Sequence, residues 1–163
     1  KQCKKQNFYP SQLIVCCGGG GLIAGTSISI SENFPNCKIF AAEPKYFDDM
    51  KRSLAANRIM SNEPGNHSIC DAILTPSPGE LPFEIAKKYV QGGYVVSDEE
   101  VRDAMKIAYQ YFKLVTEPGG AVALASALAP DFEPMGSDVV ILLSGGNVDE
   151  TIFSSIFKKM SRQ

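Results

Sequence analysis

The sequence predicts an α/β fold, a three-layer, open and mainly parallel sheet with helices on both faces, and three observations carry that prediction. Short apolar runs at 12–17, 37–42 and 138–147 alternate with segments of helical spacing, the strand–helix–strand pattern of a parallel sheet. Two of those runs end in glycine turns, "CCGGGGLIAG" and "LLSGGN". The 163 residues are 44% hydrophobic and show no repeat, low-complexity tract or internal boundary. Such a chain suits one domain that buries about 70% of its unfolded surface.

Residues 12–17, "QLIVCC", read as a buried strand, and 21–33, "GLIAGTSISISEN", as the helix that follows the glycines. Leu22, Ile23, Thr26, Ile30 and Phe34 recur at helical spacing, although the β-branched residues lower the propensity. A second strand covers 37–42 and a helix 45–56. Pro64, Pro76, Pro78 and Pro82 make 57–82 a long connection, with at most a short strand near 72–75, and 83–90 is helical. Tyr94–Val96 forms a short strand. Ser97 then caps a helix, with Glu100 completing a capping box. Val101, Ala104, Met105, Ala108 and Phe112 make its apolar stripe. "EPGGAVALASALA" starts a helix that is small and apolar nearly all round, the mark of a sandwiched element. A buried strand at 138–147 and a helix at 149–160 close the chain.

The charge balance, 16 Lys and Arg against 18 Asp and Glu, leaves no basic stripe and argues against nucleic acid as a partner. The opening KQCKK reads as a solvated end. No apolar run approaches the ~20 residues that span a membrane, and no signal peptide is visible. Cys3, Cys16, Cys17, Cys37 and Cys70 form no CxxC pair and no metal spacing with the single histidine, His67, which reads as a surface residue. Free thiols in a reducing compartment are expected, and zinc is not indicated.

In open parallel sheets, ligands bind beyond the carboxyl ends of the strands. Gly18–Gly21, Glu43 and Ser144–Asn147 all fall at such ends. A helix N-terminus offers unpaired N–H groups and a positive dipole end, and glycines let an anion come close to the backbone. A plain tight turn needs only one glycine, so four favour an anion cradle. The lack of a following Gly-Lys-Ser/Thr excludes a Walker loop. Gly19, Gly21 and Ala24 also fit G-x-G-x-x-A, with Glu43 in the ribose-binding position of a dinucleotide fingerprint. That reading leaves "SGGN" and "PSPGELPF" unexplained.

"CGGGGLIAG", "AAEPKYFDDM", "LVTEPGGAVALASAL" and "LLSGGNVD" occur in this order. With these four motifs, residues 12–150 resemble threonine dehydratases (threonine ammonia-lyases) of the serine/threonine dehydratase–serine racemase family, fold-type II pyridoxal-phosphate enzymes. "ILTPSPGELPFEIAKK" looks more like the dehydratases than the racemases. The resemblance implies pyridoxal 5'-phosphate as cofactor, with Gly18, Gly19, Gly20, Gly21 and Leu22 around its phosphate. It implies Ser144 at the pyridine nitrogen, Gly145 and Asn147 among the cofactor-binding residues, and Glu117 near the ring. Helix-start acidity would equally account for Glu117, and a strand-end turn for Ser144. Glu43, Asp49 and the carbonyl of Phe47 match a cation site of racemase-like members, suited to Mg²⁺ or Ca²⁺. An acidic strand end and a solvated helix start are the other reading of those residues. Asp71 is followed by Ala72 where relatives often have glycine, which puts a close backbone contact with the cofactor there in doubt.

The implied activity is dehydration and deamination of L-threonine and L-serine to a 2-oxo acid and ammonia, in isoleucine biosynthesis or threonine catabolism. Racemase activity and a dinucleotide-binding oxidoreductase are the alternatives. Residues 1–163 are expected to be the C-terminal part of the cofactor-binding large domain. Neither a small domain nor the S-x-K-x-R-G-like segment with the Schiff-base lysine has a counterpart here, so no catalytic residue is assigned. The resemblance further implies an amino-acid substrate, a homo-oligomer when full-length, and a cytoplasmic location.

Overall fold

The computed structural model describes residues 2–157. Four parallel strands, β1 (Gln12–Cys16), β2 (Lys38–Pro44), β3 (Val90–Val96) and β4 (Val139–Leu142), lie in the order β3-β2-β1-β4. Helices α2 (Gly21–Asn33), α3 (Asp49–Ala56) and α4 (Glu80–Tyr89) join β1 to β2 and β2 to β3. They pack on one face, against Leu13, Val15 and Cys17 of the first strand and its exit. Helices α5 (Asp98–Ile107) and α6 (Pro118–Leu128) carry the chain back to β4 on the other face, against Ile14 and Cys16. Every residue of β1 is buried, because both faces are covered, and the strand is accordingly a continuous apolar run after Gln12. Gln12 itself is satisfied: it donates to Tyr94 Oη at 2.9 Å and accepts from the Met135 amide at 2.8 Å.

The three-layer parallel architecture agrees with the expectation, as do the α2 limits and the sandwiched α6, buried from Pro118 to Ser126. Ser97 and Glu100 form the full capping box that opens α5. Several boundaries differ. KQCKK contributes one helical turn, α1 (Gln2–Lys5), instead of only a solvated end. β2 runs on to Pro44, so Glu43 lies within the strand, paired with Val95, not beyond it. The helix expected from 45 begins at Asp49, because Tyr46 takes a positive φ of 71° and the Phe47 amide closes a turn on Pro44 O at 2.9 Å. In place of a strand near 72–75 there is a 3-10 turn, Asp71–Ile73, closed by the Ile73 amide on Cys70 O at 3.0 Å. The helix expected at 83–90 is Glu80–Tyr89, and β3 extends back to Val90. β4 ends at Leu142, leaving 143–147 irregular.

Two apolar stripes also need correction. Ala108–Phe112 is a π-helical turn, and its extra residue per turn rotates Phe112 out of the stripe to 58% exposure. In α2, Ile23, Ala24 and Ser27 are buried while Leu22 is 45% exposed. The last helix, α7, is the short Glu150–Ser155, and the expected continuation to 160 passes beyond the described residues. No helix among the described residues is long and apolar enough to cross a membrane.

Candidate functional site

The chain leaves β1 toward β2 on one side and returns as β4 on the other. The topological switch point is therefore the crevice beyond the carboxyl ends of β1 and β4. At the β1 end stand Gly18–Gly21, which pass directly into α2. Gly20 is the N-cap, in a left-handed conformation (φ 89°). No turn, loop or cap hydrogen bond among the described residues uses the N–H groups of Gly18–Gly21. The first amides of α2 have no partner within the helix either. A Cβ on Gly21 would meet nothing within 4 Å, so space is open beside that residue.

The rest of the loop is held down tightly. A Cβ on Gly18 would fall 2.9 Å from Ile73 Cα. Gly19 accepts from the Gly79 amide at 3.0 Å and faces the Thr75 methyl. The 3-10 turn and the start of α4 thus buttress the glycines, with Pro82 packed against Gly20 and Gly79. Ala72 packs on Gly119 at the start of α6, where a Cβ would lie 3.6 Å from it. Asp71 and His67 are exposed.

At the β4 end, Ser144 is exposed and its Oγ lies 3.0 Å from Cys16 Sγ, at the tip of β1. Gly145 accepts from the Glu117 amide at 3.0 Å, and the Glu117 carboxylate lies where a Gly145 side chain would stand. Gly120 packs on the same backbone: a Cβ there would be 2.8 Å from Gly145 N. Glu117 is the N-cap of α6, with Pro118 in the first turn. Asn147 is exposed in the irregular segment. Gly18–Gly21 thus stand at the β1 end of the switch point and Glu117, Ser144 and Gly145 at its β4 end, joined through the Cys16–Ser144 contact, while Leu22 is exposed at the start of α2. Sequence reasoning missed Cys16, Ile73, Thr75 and Gly120 as its supports; the second glycine of "EPGG" was the one readable signal among them. Thr75 and Thr116 each hold a buried hydroxyl oxygen without a partner.

Glu43 and Asp49 form a second group. Glu43 is fully buried, and its two oxygens accept from the Met50 and Lys51 amides at 2.8 and 2.9 Å. Burial pushes its carboxyl up to about 8, against the pull of those two hydrogen bonds, and the charges of Asp49 and Asp48 push the same way. Asp49 is 1% exposed and is also raised by burial, with Asn62 donating to its Oδ1 at 2.6 Å and its Oδ2 left unpartnered. Phe47 is buried in the turn between them. A carboxylate committed to the α3 amides is not presented to a ribose, which removes the structural basis of the dinucleotide fingerprint. No three His, Cys, Asp or Glu side chains converge on a metal position among the described residues. A hollow of about 560 Å³ at the outer edge of β3, lined by Phe40, Lys51, Lys87 and Tyr94 among others, contains none of these residues.

Residues 3–145 match the family described as "Pyridoxal-phosphate dependent enzyme". The chain belongs to this pyridoxal-phosphate dependent family. It is 40% identical over 147 residues to serine racemase of Dictyostelium discoideum, covering 88% of this chain and 45% of that protein. It is 35% identical to L-threonine ammonia-lyase of Thermotoga maritima, covering 90% of this chain and 36% of the relative. The crystal structure of a T.th. threonine deaminase superposes with a TM-score of 0.85 at 34% identity, over 91% of this chain and 54% of that one. The chain thus spans about half or less of the length of these relatives.

Pyridoxal phosphate fits the crevice on the chain's own features. Unpaired amides at the start of α2 could cradle a phosphate, space is open beside Gly21, and an exposed hydroxyl lies at the β4 end of the switch point. In the second group only Asp49 Oδ2 is left without a partner among the described residues, since both Glu43 oxygens accept from α3 amides, and the Arg52 charge acts on Asp49.

Proposed function

We propose that this chain supplies the phosphate and ring anchors of a pyridoxal-phosphate enzyme that dehydrates and deaminates L-threonine, and L-serine, to a 2-oxo acid and ammonia. The observation that carries the reading is Ser144, a neutral hydroxyl at the β4 end of the switch point. When bound, the cofactor supplies an electron sink for the pair left on an amino acid's α-carbon after proton removal. The amides of Gly18–Gly21 and Leu22 hold its phosphate, aided by the positive end of α2, a contribution of ~0.3–1 kcal/mol. Ser144 hydrogen-bonds the ring nitrogen. As a neutral group it does not hold that nitrogen protonated, as an aspartate would. The sink is correspondingly weaker, which suits a reaction where the β-hydroxyl leaves promptly. Glu117 sets the Gly145 backbone through its amide and keeps a carboxylate beside the ring. A Mg²⁺ or Ca²⁺ ion between Glu43 and Asp49 would be structural.

Serine racemisation is the second reading, favoured by the 40% identity to the Dictyostelium racemase. The two separate in one assay on the protein carrying this chain together with a cofactor-bearing lysine segment. 2-Oxobutanoate from L-threonine and pyruvate from L-serine are expected to exceed D-serine formation; D-serine as the main product would overturn the dehydratase reading. The 163-residue chain alone is expected to release no 2-oxobutanoate from threonine. Release by the chain alone would show that it holds a complete site.

A further inference from the structure

We infer that Cys16 is the positioning residue for Ser144: its thiol donates to Ser144 Oγ across the 3.0 Å contact and so leaves the serine's own proton for the cofactor ring nitrogen. The inference rests on the role of Ser144 proposed above. Cys16 ends β1 and is 3% exposed, whereas Ser144 is exposed, two residues beyond the end of β4. The parallel register that pairs Val15 with Leu142 brings the two together over the switch point. The side chain of Cys16 belongs to the α5–α6 face of the sheet, and that of Cys17 to the opposite face, so only the first of the two adjacent thiols can serve.

The direction of the hydrogen bond follows from chemistry. Oxygen accepts hydrogen bonds better than sulfur, and a serine oxygen has two lone pairs and one proton. Burial, reinforced by the Glu117 charge, raises the Cys16 thiol, so it keeps its proton at neutral pH and remains a donor. With one lone pair occupied from the buried side, the hydroxyl proton is free on the open side. An acceptor there, such as an unprotonated pyridine nitrogen, is matched by that proton.

The test is a double-mutant cycle on the holoenzyme, read as pyridoxal-phosphate affinity and as the visible absorbance band of the bound cofactor, independently of turnover. Cys16→Ala is expected to weaken cofactor binding about 3- to 10-fold, the net worth of one neutral hydrogen bond. The same change in a Ser144→Ala background should have no further effect, and Cys16→Ser should restore most of the affinity. An equal loss in both backgrounds would mean that Cys16 merely packs the strand, and no loss at all would also overturn the inference. A Ser144→Ala protein with unchanged affinity and band would overturn the Ser144 reading itself, and the inference with it.

Discussion

Gly20→Ala is expected to destabilise the chain by about 2–5 kcal/mol in denaturant melts, whereas Gly21→Ala, one residue on, is expected to leave stability unchanged or slightly higher. At Gly20 two costs add. The left-handed φ of 89° costs an L-residue about 1–2 kcal/mol. The new methyl would also lie 2.7 Å from Met50 Cε and 2.8 Å from Pro82 Cβ. The methionine end can swing, although it is fully buried, but the proline ring in the first turn of α4 has no rotamer to escape into. Forcing the two apart costs about 1–3 kcal/mol. Gly21 has neither problem, since it opens α2 with a helical backbone and nothing near its Cβ. Its methyl would instead project into the open space beside the start of α2. Pyridoxal-phosphate affinity of the Gly21→Ala holoenzyme should fall about tenfold or more, the scale of one charge-assisted hydrogen bond. A Gly21→Ala protein that binds the cofactor as tightly as the parent would remove the phosphate from that position. A Gly20→Ala protein of parental stability would mean that α4 can yield.

This pair marks the limit of what could be read from residues alone. Four glycines in a row announced an anion cradle, but not that Gly20 serves chain geometry while Gly21 faces open ground. That division depends on Met50 and Pro82, which arrive from α3 and α4. The strands with both faces covered were legible as unbroken apolar runs, and Ser97 with Glu100 marked the start of α5 from side-chain chemistry alone. Non-local partners hid the rest. The segment 71–75 has strand-like composition, yet it lies against the glycine loop and folds as a 3-10 turn. Phe112 keeps helical spacing in sequence, and only the π-helical turn puts it outside. Cys16 looked like one more apolar strand residue, because the register that sets it beside Ser144 joins positions more than a hundred residues apart.

Without divalent cation, the chain is expected to lose stability steadily as pH rises from about 4.5 to about 8, with Glu43 as the cause. In the folded chain burial holds that carboxyl's proton up to about pH 8, whereas the unfolded chain releases it near its ordinary value of 4.5. Between those values the native state binds more protons than the unfolded one, so stability falls with rising pH; below and above the window the contribution is level. At about 1.4 kcal/mol per pH unit, the window is worth on the order of 5 kcal/mol, comparable to the whole stability of many domains. Glu43→Gln separates this from other titrations. The amide can still accept from one of the α3 amides but presents a donor to the other, so the variant should be less stable than the parent near pH 5 by about 1–3 kcal/mol. It should also be nearly flat with pH, so the two profiles cross before pH 8. A divalent cation seated between Glu43 and Asp49 favours both ionised carboxylates. Mg²⁺ or Ca²⁺ should therefore raise the parent's stability more at pH 8 than at pH 6 and leave the Glu43→Gln profile unmoved. A parent profile that is flat across this window in the presence of chelator would show that Glu43 ionises freely. The α3 amides and local solvent, not a cation, would then satisfy its charge.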